Sequence, residues 1–256
     1  MIYNMIIIKT SEEIGMMKKA GEILADVHRE IKKMIKPGIT TMEIDRFVED
    51  YLAERGAIAE QKGYQGYKYA TCASVNDEIC HGFPNEEVLK DGDIVAIDMV
   101  VNLDGWLADS AWSYGVGNIS DEVKKLMDVT RKSLYLGIEQ AVVGNRIGDI
   151  SHVVQSYVES NGFSVVRDFV GHGIGKSMHE DPQVPHYGSP GRGIRLSEGM
   201  VLTIEPMVNI GTYKLKIDDN EWTARTLDGK LSAQYEHTIA ITSDGPVIIT
   251  DQGEDR

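Results

Sequence analysis

Five side chains of metal-binding types stand beside a glycine, a proline or an apolar run that resembles a strand. They are Asp98, Asp109, His172, Glu205 and Glu236. Four carboxylates and one imidazole form an oxygen-rich donor set, which suits two borderline divalent ions such as Mn, Fe or Co better than a structural zinc. The four negative charges also balance two divalent cations. The residue types therefore predict a dinuclear metal centre.

The first two carboxylates lie on a predicted β-hairpin. Asp104-Gly105 stands between two apolar runs, which is a strong signal for a two-residue turn. With that turn, Asp98 faces Ala111 and lies diagonal to Asp109 on one face of the hairpin. Two carboxylates this close cannot both stay ionised at neutral pH unless a cation lies between them or one binds a proton. A metal is the simpler alternative.

The other three candidates lie in glycine-rich or strand-like surroundings. Glycines flank His172 and leave its imidazole uncrowded. Glu205 and Glu236 interrupt runs that should bury apolar residues. An isolated surface acid is the commoner role of Asp and Glu, but a bare buried carboxylate is costly. Their positions therefore favour metal binding.

Helical periodicity extends over residues 12–34 and 42–54, with Pro37-Gly38 between them. The pattern recurs later at equal spacing: Gly38, Ile44, Val48, Tyr51 and Gly56 align with Gly144, Ile150, Val154, Tyr157 and Gly162. This predicts an internal duplication, with half-repeats at roughly 12–120 and 121–250. The metal candidates divide between the halves, so the site should lie between them. Because no linker or composition shift marks a boundary, we expect residues 1–256 to form a single catalytic domain.

Composition limits the class of protein. The chain has 256 residues, 42% of them hydrophobic, which allows one globular domain with a substantial core. A net charge of -14 argues against DNA binding as a main activity. The apolar runs are strand-sized and no signal sequence is evident, so we expect no membrane span and a cytoplasmic location. Cys72 and Cys80 should be free thiols there.

Several stretches together resemble type I methionine aminopeptidases, in the bacterial form without an N-terminal extension. The stretches are Ser74–Gly82, Asp98–Asp109, Gly171–Gly175, Met178–Pro182, Thr203–Pro206 and Tyr235–Thr238. The resemblance covers nearly the whole chain. It implies the α+β pita-bread fold, in which pseudo-two-fold duplicated halves form a curved antiparallel sheet covered by helices.

The resemblance also implies roles for the metal candidates. All five are expected to be ligands; Asp98, Asp109 and Glu236 hold or bridge both ions, and His172 and Glu205 complete one of them. A metal-activated bridging water would attack the scissile carbonyl, while the ions stabilise the developing oxyanion. Glu205 is the expected proton acceptor.

Two further histidines match catalytic positions of the family. His81 and His179 are expected to contact the substrate backbone and stabilise the tetrahedral intermediate, with His81 near the scissile nitrogen. The remaining histidines carry no functional expectation. Of these, His237 should point away from Glu236, because neighbouring residues of a strand face opposite sides.

The resemblance places five residues around the substrate methionine: Tyr64, Tyr67, Cys72, Met178 and Trp222. Core packing is the alternative for each. Met178 stands where the family often has an aromatic residue, and its thioether suits a methionine guest. Asn76 and Ser232 match positions that bind a monovalent cation in some relatives.

These expectations describe an enzyme that removes the initiator methionine from nascent proteins and peptides and favours a small second residue. We also expect a monomer with a transient ribosome contact. The enzyme alternatives are an X-Pro peptidase and a type II methionine aminopeptidase; the first usually carries another N-terminal domain, and the second a long insertion. A non-catalytic binding module is the alternative from another class. Since Ile2 is large, the chain should keep its own Met1, unless Met5 is the true start.

Overall fold

The computed structural model describes residues 5–253. The expectation about Met1 and Ile2 therefore lies outside the described residues. Within that range, no helix combines the length and apolar character needed to cross a membrane.

The first two α-helices follow the predicted boundaries to within a residue. The α-helices of residues 5–253 are α1 (Ser11–Met34), α2 (Thr41–Ala53), α3 (Asp121–Glu139) and α4 (Ile147–Ser160). Thr10 and Thr40 begin the first two, because each side chain accepts from the backbone of a glutamate three residues later, whose carboxylate bonds back. The connection between these helices contains Gly38 at a φ of 95°, a conformation that glycine adopts without steric cost.

The strands are short apart from one long hairpin. They are β1 (Ile58–Ala59), β2 (Cys72–Val75), β3 (Glu78–Cys80), β4 (Ile94–Leu103), β5 (Trp106–Gly115), β6 (Ser164–Val165), β7 (Gly171–Gly173), β8 (Glu180–Val184), β9 (Val201–Ile204), β10 (Met207–Asn209), β11 (Leu215–Ile217), β12 (Ala224–Thr226), β13 (Ser232–Gln234), β14 (His237–Thr242) and β15 (Gly245–Ile248).

The hairpin of β4 and β5 has the predicted register. Asp98 faces Ala111 and Val100 faces Asp109, so the two aspartates are diagonal neighbours on one face. Asp104 and Gly105 have φ values of 53° and 82°, as a two-residue hairpin turn with the twist of the strands requires. The turn therefore sets which residues of both strands face the site.

The strands form antiparallel sheets. In the largest, the order is β15-β14-β9-β7-β8; another has the order β1-β4-β2, with β5 paired to β4; the smaller ones are β13-β10-β6 and β11-β12-β3. Helix α1 packs on β4 and β5, and Leu24, Ile31 and Ile97 are fully buried in one hydrophobic cluster. Antiparallel sheets covered by helices confirm the predicted α+β class.

The two helix pairs share backbone details. Gly38 and Gly144 have φ values of 95° and 96°, and their amides donate to Leu89 and Leu196 at 2.8 and 3.0 Å. Isolated β-bridges join Thr40 to Val88 and Arg146 to Arg195. Thr40 and Arg146 each precede the second helix of their pair. These matches support the half-repeats at roughly 12–120 and 121–250, which we retain as a proposal.

Candidate metal centre

The five candidate ligands come from strands or their ends in two sheets. Asp98 lies on β4, Asp109 on β5 and His172 in the middle of β7; Glu205 directly follows β9, and Glu236 directly precedes β14. Both glutamates thus lie at strand ends, whereas the sequence suggested strand interiors.

Hydrogen bonds hold the two sheets together at this point. The Thr238 hydroxyl on β14 accepts from the Asp109 amide at 2.9 Å and donates to the Asp109 carbonyl at 2.8 Å. The Glu236 amide donates to the carbonyl of Ala111 at 2.8 Å. These bonds bring Glu236, from one sheet, beside Asp109, from the other.

The side chains converge on a small volume. His172 Nε2 lies 3.8 Å from Asp109 Oδ2 and 3.7 Å from Glu205 Oε1. Asp109, His172 and Glu236 each offer a ligand atom, and these atoms lie within 4.8 Å of one another. Asp109 Oδ1 and Glu236 Oε1 are buried without a hydrogen-bond partner among the described residues. Buried carboxylate oxygens need such a partner, so the arrangement fits bound cations.

The electrostatics of the site agree with that fit. Burial raises the pKa of Asp98 to about 7 and that of Glu205 to about 8. Burial, and then the neighbouring carboxylates, raise the pKa values of Asp109 and Glu236 well above their ordinary values. A set of buried acids that repel one another is ionised at neutral pH only with compensating positive charge.

The imidazole of His172 is prepared as a neutral ligand. Burial lowers its pKa to about 4. Its Nδ1 lies 2.9 Å from the carbonyl oxygen of Gly173, which can only accept, so Nδ1 carries the proton. The lone pair of Nε2 therefore faces the carboxylates, as metal coordination requires.

Three supporting residues were not predicted from the sequence. The Thr203 hydroxyl accepts from the His172 amide at 3.0 Å and donates to Glu205 Oε1 at 2.8 Å. Gln234 Nε2 lies 3.4 Å from Asp98 Oδ2. His186, assigned no function from the sequence, is buried and accepts from the Glu205 amide at 2.9 Å. Such partners fix the orientation of metal ligands.

The metal candidates form part of the wall of a cavity of about 280 Å³. His81 and His179 also line it. Burial lowers the pKa of His81 to about 4 and also lowers that of His179. Nδ1 of His179 lies 3.2 Å from the hydroxyl of Tyr64, and the His179 ring centre is 4.5 Å from that of His172. Both catalytic candidates therefore line the same cavity as the metal candidates, as neutral imidazoles.

The predicted methionine-pocket residues all line the same cavity: Tyr64, Tyr67, Cys72, Met178 and Trp222. The rings of Tyr67 and Trp222 meet edge to face, with centres 5.0 Å apart. Cys72 and Cys80 are free, as predicted. The cavity is also lined by residues to which the sequence assigned no role: Gln61, Gln65, Cys80, Val100, Phe169, Val170, Met207 and Gln234.

The candidate residues for a monovalent cation lie outside the cavity lining. The carbonyl oxygen of Asn76 accepts from the Ser232 amide at 2.9 Å, so the two residues are neighbours. The Asn76 side chain donates to Asp93 Oδ1 at 2.9 Å. Cation binding by this pair stays a prediction.

The other histidines lie away from the cavity wall. His28 is buried in α1, with Nδ1 2.8 Å from the hydroxyl of Tyr114. His237 points away from Glu236, as predicted, and its Nδ1 lies 2.8 Å from the hydroxyl of Thr250. His152 is exposed on α4.

Comparison with known proteins agrees with this geometry. Residues 15–243 match the profile of metallopeptidase family M24. The chain belongs to this family. It is 54% identical over 246 residues to methionine aminopeptidase 1 of Bacillus subtilis, covering 96% of this chain and 99% of that one. As a metallopeptidase of this family, it binds divalent metal.

Solved structures are similar as well. The methionine aminopeptidase of Thermotoga maritima superimposes with a TM-score of 0.95 at 47% identity, covering 96% of this chain and 100% of that one. A prolidase of Pyrococcus furiosus gives a TM-score of 0.78 at 23% identity, covering 98% of this chain and 66% of that one. The second likeness shows the shared fold alone. The predicted resemblance and the pita-bread fold are confirmed.

Proposed function

We propose that this chain removes the initiator methionine from nascent proteins and peptides and favours a small second residue. It is a metal-dependent aminopeptidase. The observation that supports this function best is the convergence of Asp98, Asp109, His172, Glu205 and Glu236 at one wall of a cavity whose other walls are largely aromatic and sulfur-containing.

Two divalent ions per chain, of Mn, Fe or Co, fit the donor set. Asp98, Asp109 and Glu236 would hold or bridge both ions, and His172 and Glu205 would complete one of them. The unpartnered oxygens of Asp109 and Glu236 support this assignment. When bound, the ions supply Lewis-acid activation of a water and of the scissile carbonyl.

The protein's own groups move protons and orient the substrate. Glu205 accepts the proton of the attacking water, and its orientation is set by the Thr203 hydroxyl. Neutral His81 and His179 each offer one N–H, which we assign to the substrate backbone and the developing oxyanion. His81 is also assigned to the scissile nitrogen.

The pocket residues supply the specificity for methionine. Tyr67 and Trp222 present ring edges and faces, while Cys72 and Met178 present soft sulfur atoms. A flexible thioether packs well among such groups. Tyr64 lies at the exposed side of the cavity, where it contacts His179. We assign the restriction on the second residue to this crowded side.

The remaining assignments belong to the same proposal. We place the protein in the cytoplasm, where the free thiols of Cys72 and Cys80 suit reducing conditions. We further propose a monomer, a transient ribosome contact that delivers nascent chains, and a monovalent cation held by Asn76 and Ser232.

Release of free methionine from a Met-Ala-Ser peptide tests the function. Chelator-stripped protein should be inactive, and anaerobic addition of Mn, Fe or Co should restore release and rank the ions. A Met-Leu-Ser peptide serves as the control for the second residue and should be a much poorer substrate. Cleavage of Ala-Pro-Ser instead would indicate an X-Pro peptidase. A protein that purifies without stoichiometric metal, or that releases no amino acid with any ion, would indicate a non-catalytic binding module.

A further inference from the structure

Lys9 and Glu180 form a buried ion pair beside the catalytic cavity. Lys9 Nζ contacts Glu180 Oε2, and the two side chains are only 2% and 6% exposed. Lysine is seldom buried unless it is paired, because its ammonium group loses hydration. Neither residue lines the cavity that holds the metal candidates. Glu180 lines a neighbouring pocket with His172 and His179, but Lys9 does not, so contact with a substrate in the cavity does not explain the pair.

Glu180 fastens an irregular segment that carries two functional side chains. Residues 174–179 connect β7 to β8 without regular structure, and Met178 and His179 face the cavity from there. Glu180 is the first residue of β8, directly after His179. Its Oε1 also accepts from the amide of Ser177 at 3.4 Å. The carboxylate thus holds the C-terminal half of the segment.

The beginning of the same segment packs on the ion pair. A Cβ atom at Gly175 would lie 2.6 Å from Glu180 Oε1 and 2.7 Å from Lys9 Cε. Only a residue without a side chain allows so close an approach. The ion pair therefore touches the segment near both of its ends.

Lys9 is itself held firmly. Its amide donates to the carbonyl of Gly199 at 2.8 Å, in the turn that precedes β9. The next residue, Thr10, caps α1 through a reciprocal pair of bonds with Glu13. Lys9 Nζ also donates to the carbonyl of Ile7 at 3.1 Å. The start of α1 and the turn before β9 therefore fix the position of Lys9 independently of residues 174–179.

We propose that Lys9 and Glu180 are positioning residues that hold residues 174–179 so that His179 and Met178 face the substrate. This inference rests on the proposed aminopeptidase function. The His179 ring is partly exposed, and it contacts Tyr64 and His172. Because the surrounding side chains do not enclose the ring, its position depends on the backbone of residues 174–179. A misplacement of about 1 Å in a catalytic group lowers rates on the order of 100-fold.

Lys9→Met tests the role of the charge while keeping an unbranched, apolar stem. We expect kcat for Met-Ala-Ser to fall about 10- to 100-fold. KM should rise, because Met178 and His179 also contact the substrate, while metal affinity changes less than about threefold. Lys9→Arg should keep most of the activity because it keeps the cation. Glu180→Gln should reproduce the loss from the other partner.

Lys176→Met is the matched control. Lys176 belongs to the same segment, but it is exposed and its ammonium lies over the ring of Trp106, 4.8 Å from the ring centre. Its replacement should leave kcat unchanged. Rates are expressed per molecule of folded, metal-loaded protein, so a loss of stability alone does not lower the measured rate.

Imidazole NMR signals provide a second readout that does not depend on turnover. In Lys9→Met and Glu180→Gln, the signals of His179 should shift or broaden, whereas those of His28 should not move. Unchanged His179 signals, or an unchanged rate per site, would overturn the positioning role and leave the pair as a folding element. An inactive wild-type protein with every metal would instead refute the aminopeptidase function itself, and the positioning role with it.

Discussion

Asp109 connects the two groups of metal candidates. It follows the hairpin turn on β5, its backbone is bonded twice to Thr238, and its Oδ2 lies 3.8 Å from His172 Nε2. Its other oxygen is buried without a protein partner among residues 5–253. A side chain held by its backbone, with one oxygen left for a cation, suits a bridging ligand.

Asp109→Asn tests this assignment. The amide keeps the size of the side chain but removes its charge and one acceptor, so affinity for a divalent ion should fall roughly 100-fold or more. Titration calorimetry with Mn on chelator-stripped protein gives the affinity directly. Asp104→Asn is the control, because it makes the same change in the exposed turn of the same hairpin. Equal affinities of both variants would contradict the role of Asp109.

The convergence of the ligand candidates could be predicted from the sequence, but the residues that support them could not. A two-residue turn fixes the positions of Asp98 and Asp109 by local geometry, and glycines on both sides single out His172. Thr203, His186 and Lys9 gain their roles through contacts made only after distant segments pack together. Nothing in the sequence around Lys9 indicates that its ammonium group becomes buried.

Among the elements, the β4–β5 hairpin matters most to the site because side chains alternate between faces along a strand. A shift of one residue would turn Asp109 away from Asp98. Asp104 and Gly105 fix the register with positive φ values. The first two helices could likewise be predicted from apolar periodicity and from the break at Pro37-Gly38. The sheet order could not, because pairings such as β14 with β9 join segments that are distant in sequence.

Two glycine-to-alanine substitutions compare the cost of a Cβ atom at the positive φ of the turn with its effect inside a helix. Gly105→Ala should lower the free energy of unfolding by about 1 kcal/mol, since a φ of 82° strains any residue with a Cβ. Gly15→Ala should raise it by roughly 0.5–1 kcal/mol, because Gly15 is in α1 and has open space around it. Urea denaturation of the metal-loaded proteins measures both. Equal changes of the same sign would contradict this account of the turn.

At the scale of the whole molecule, removal of metal leaves buried carboxyl groups close together, and their ionisation lowers the free energy of unfolding. The pKa of Asp98 rises from 3.8 to about 7, and that of Glu205 from 4.5 to about 8. Folding of the metal-free protein therefore takes up protons at these groups. Below about pH 4 both groups are neutral in the folded and unfolded states and do not lower the free energy of unfolding. As the pH rises from there to about 8, they lower it progressively.

Urea unfolding between about pH 5 and about pH 8 checks this sign. Metal-free protein should lose free energy of unfolding across that range, whereas the protein saturated with Mn should not, because deprotonated ligands bind metal more tightly. The double variant Asp98→Asn, Glu205→Gln should lose part of the pH dependence of the metal-free form, and Asp109 and Glu236, whose pKa values are also raised, account for the rest. A metal-free protein that becomes more stable as the pH rises would overturn the assignment of these two pKa values.

Glu236 is translated after the four other ligand candidates. Asp98 and Asp109 are translated long before it, and the bond from the Glu236 amide to Ala111 forms only when β14 packs beside β5. A polypeptide still being made therefore contains an incomplete ligand set. On the proposed assignment of Glu236, a molecule becomes competent only after this residue has left the ribosome and β14 has packed beside β5.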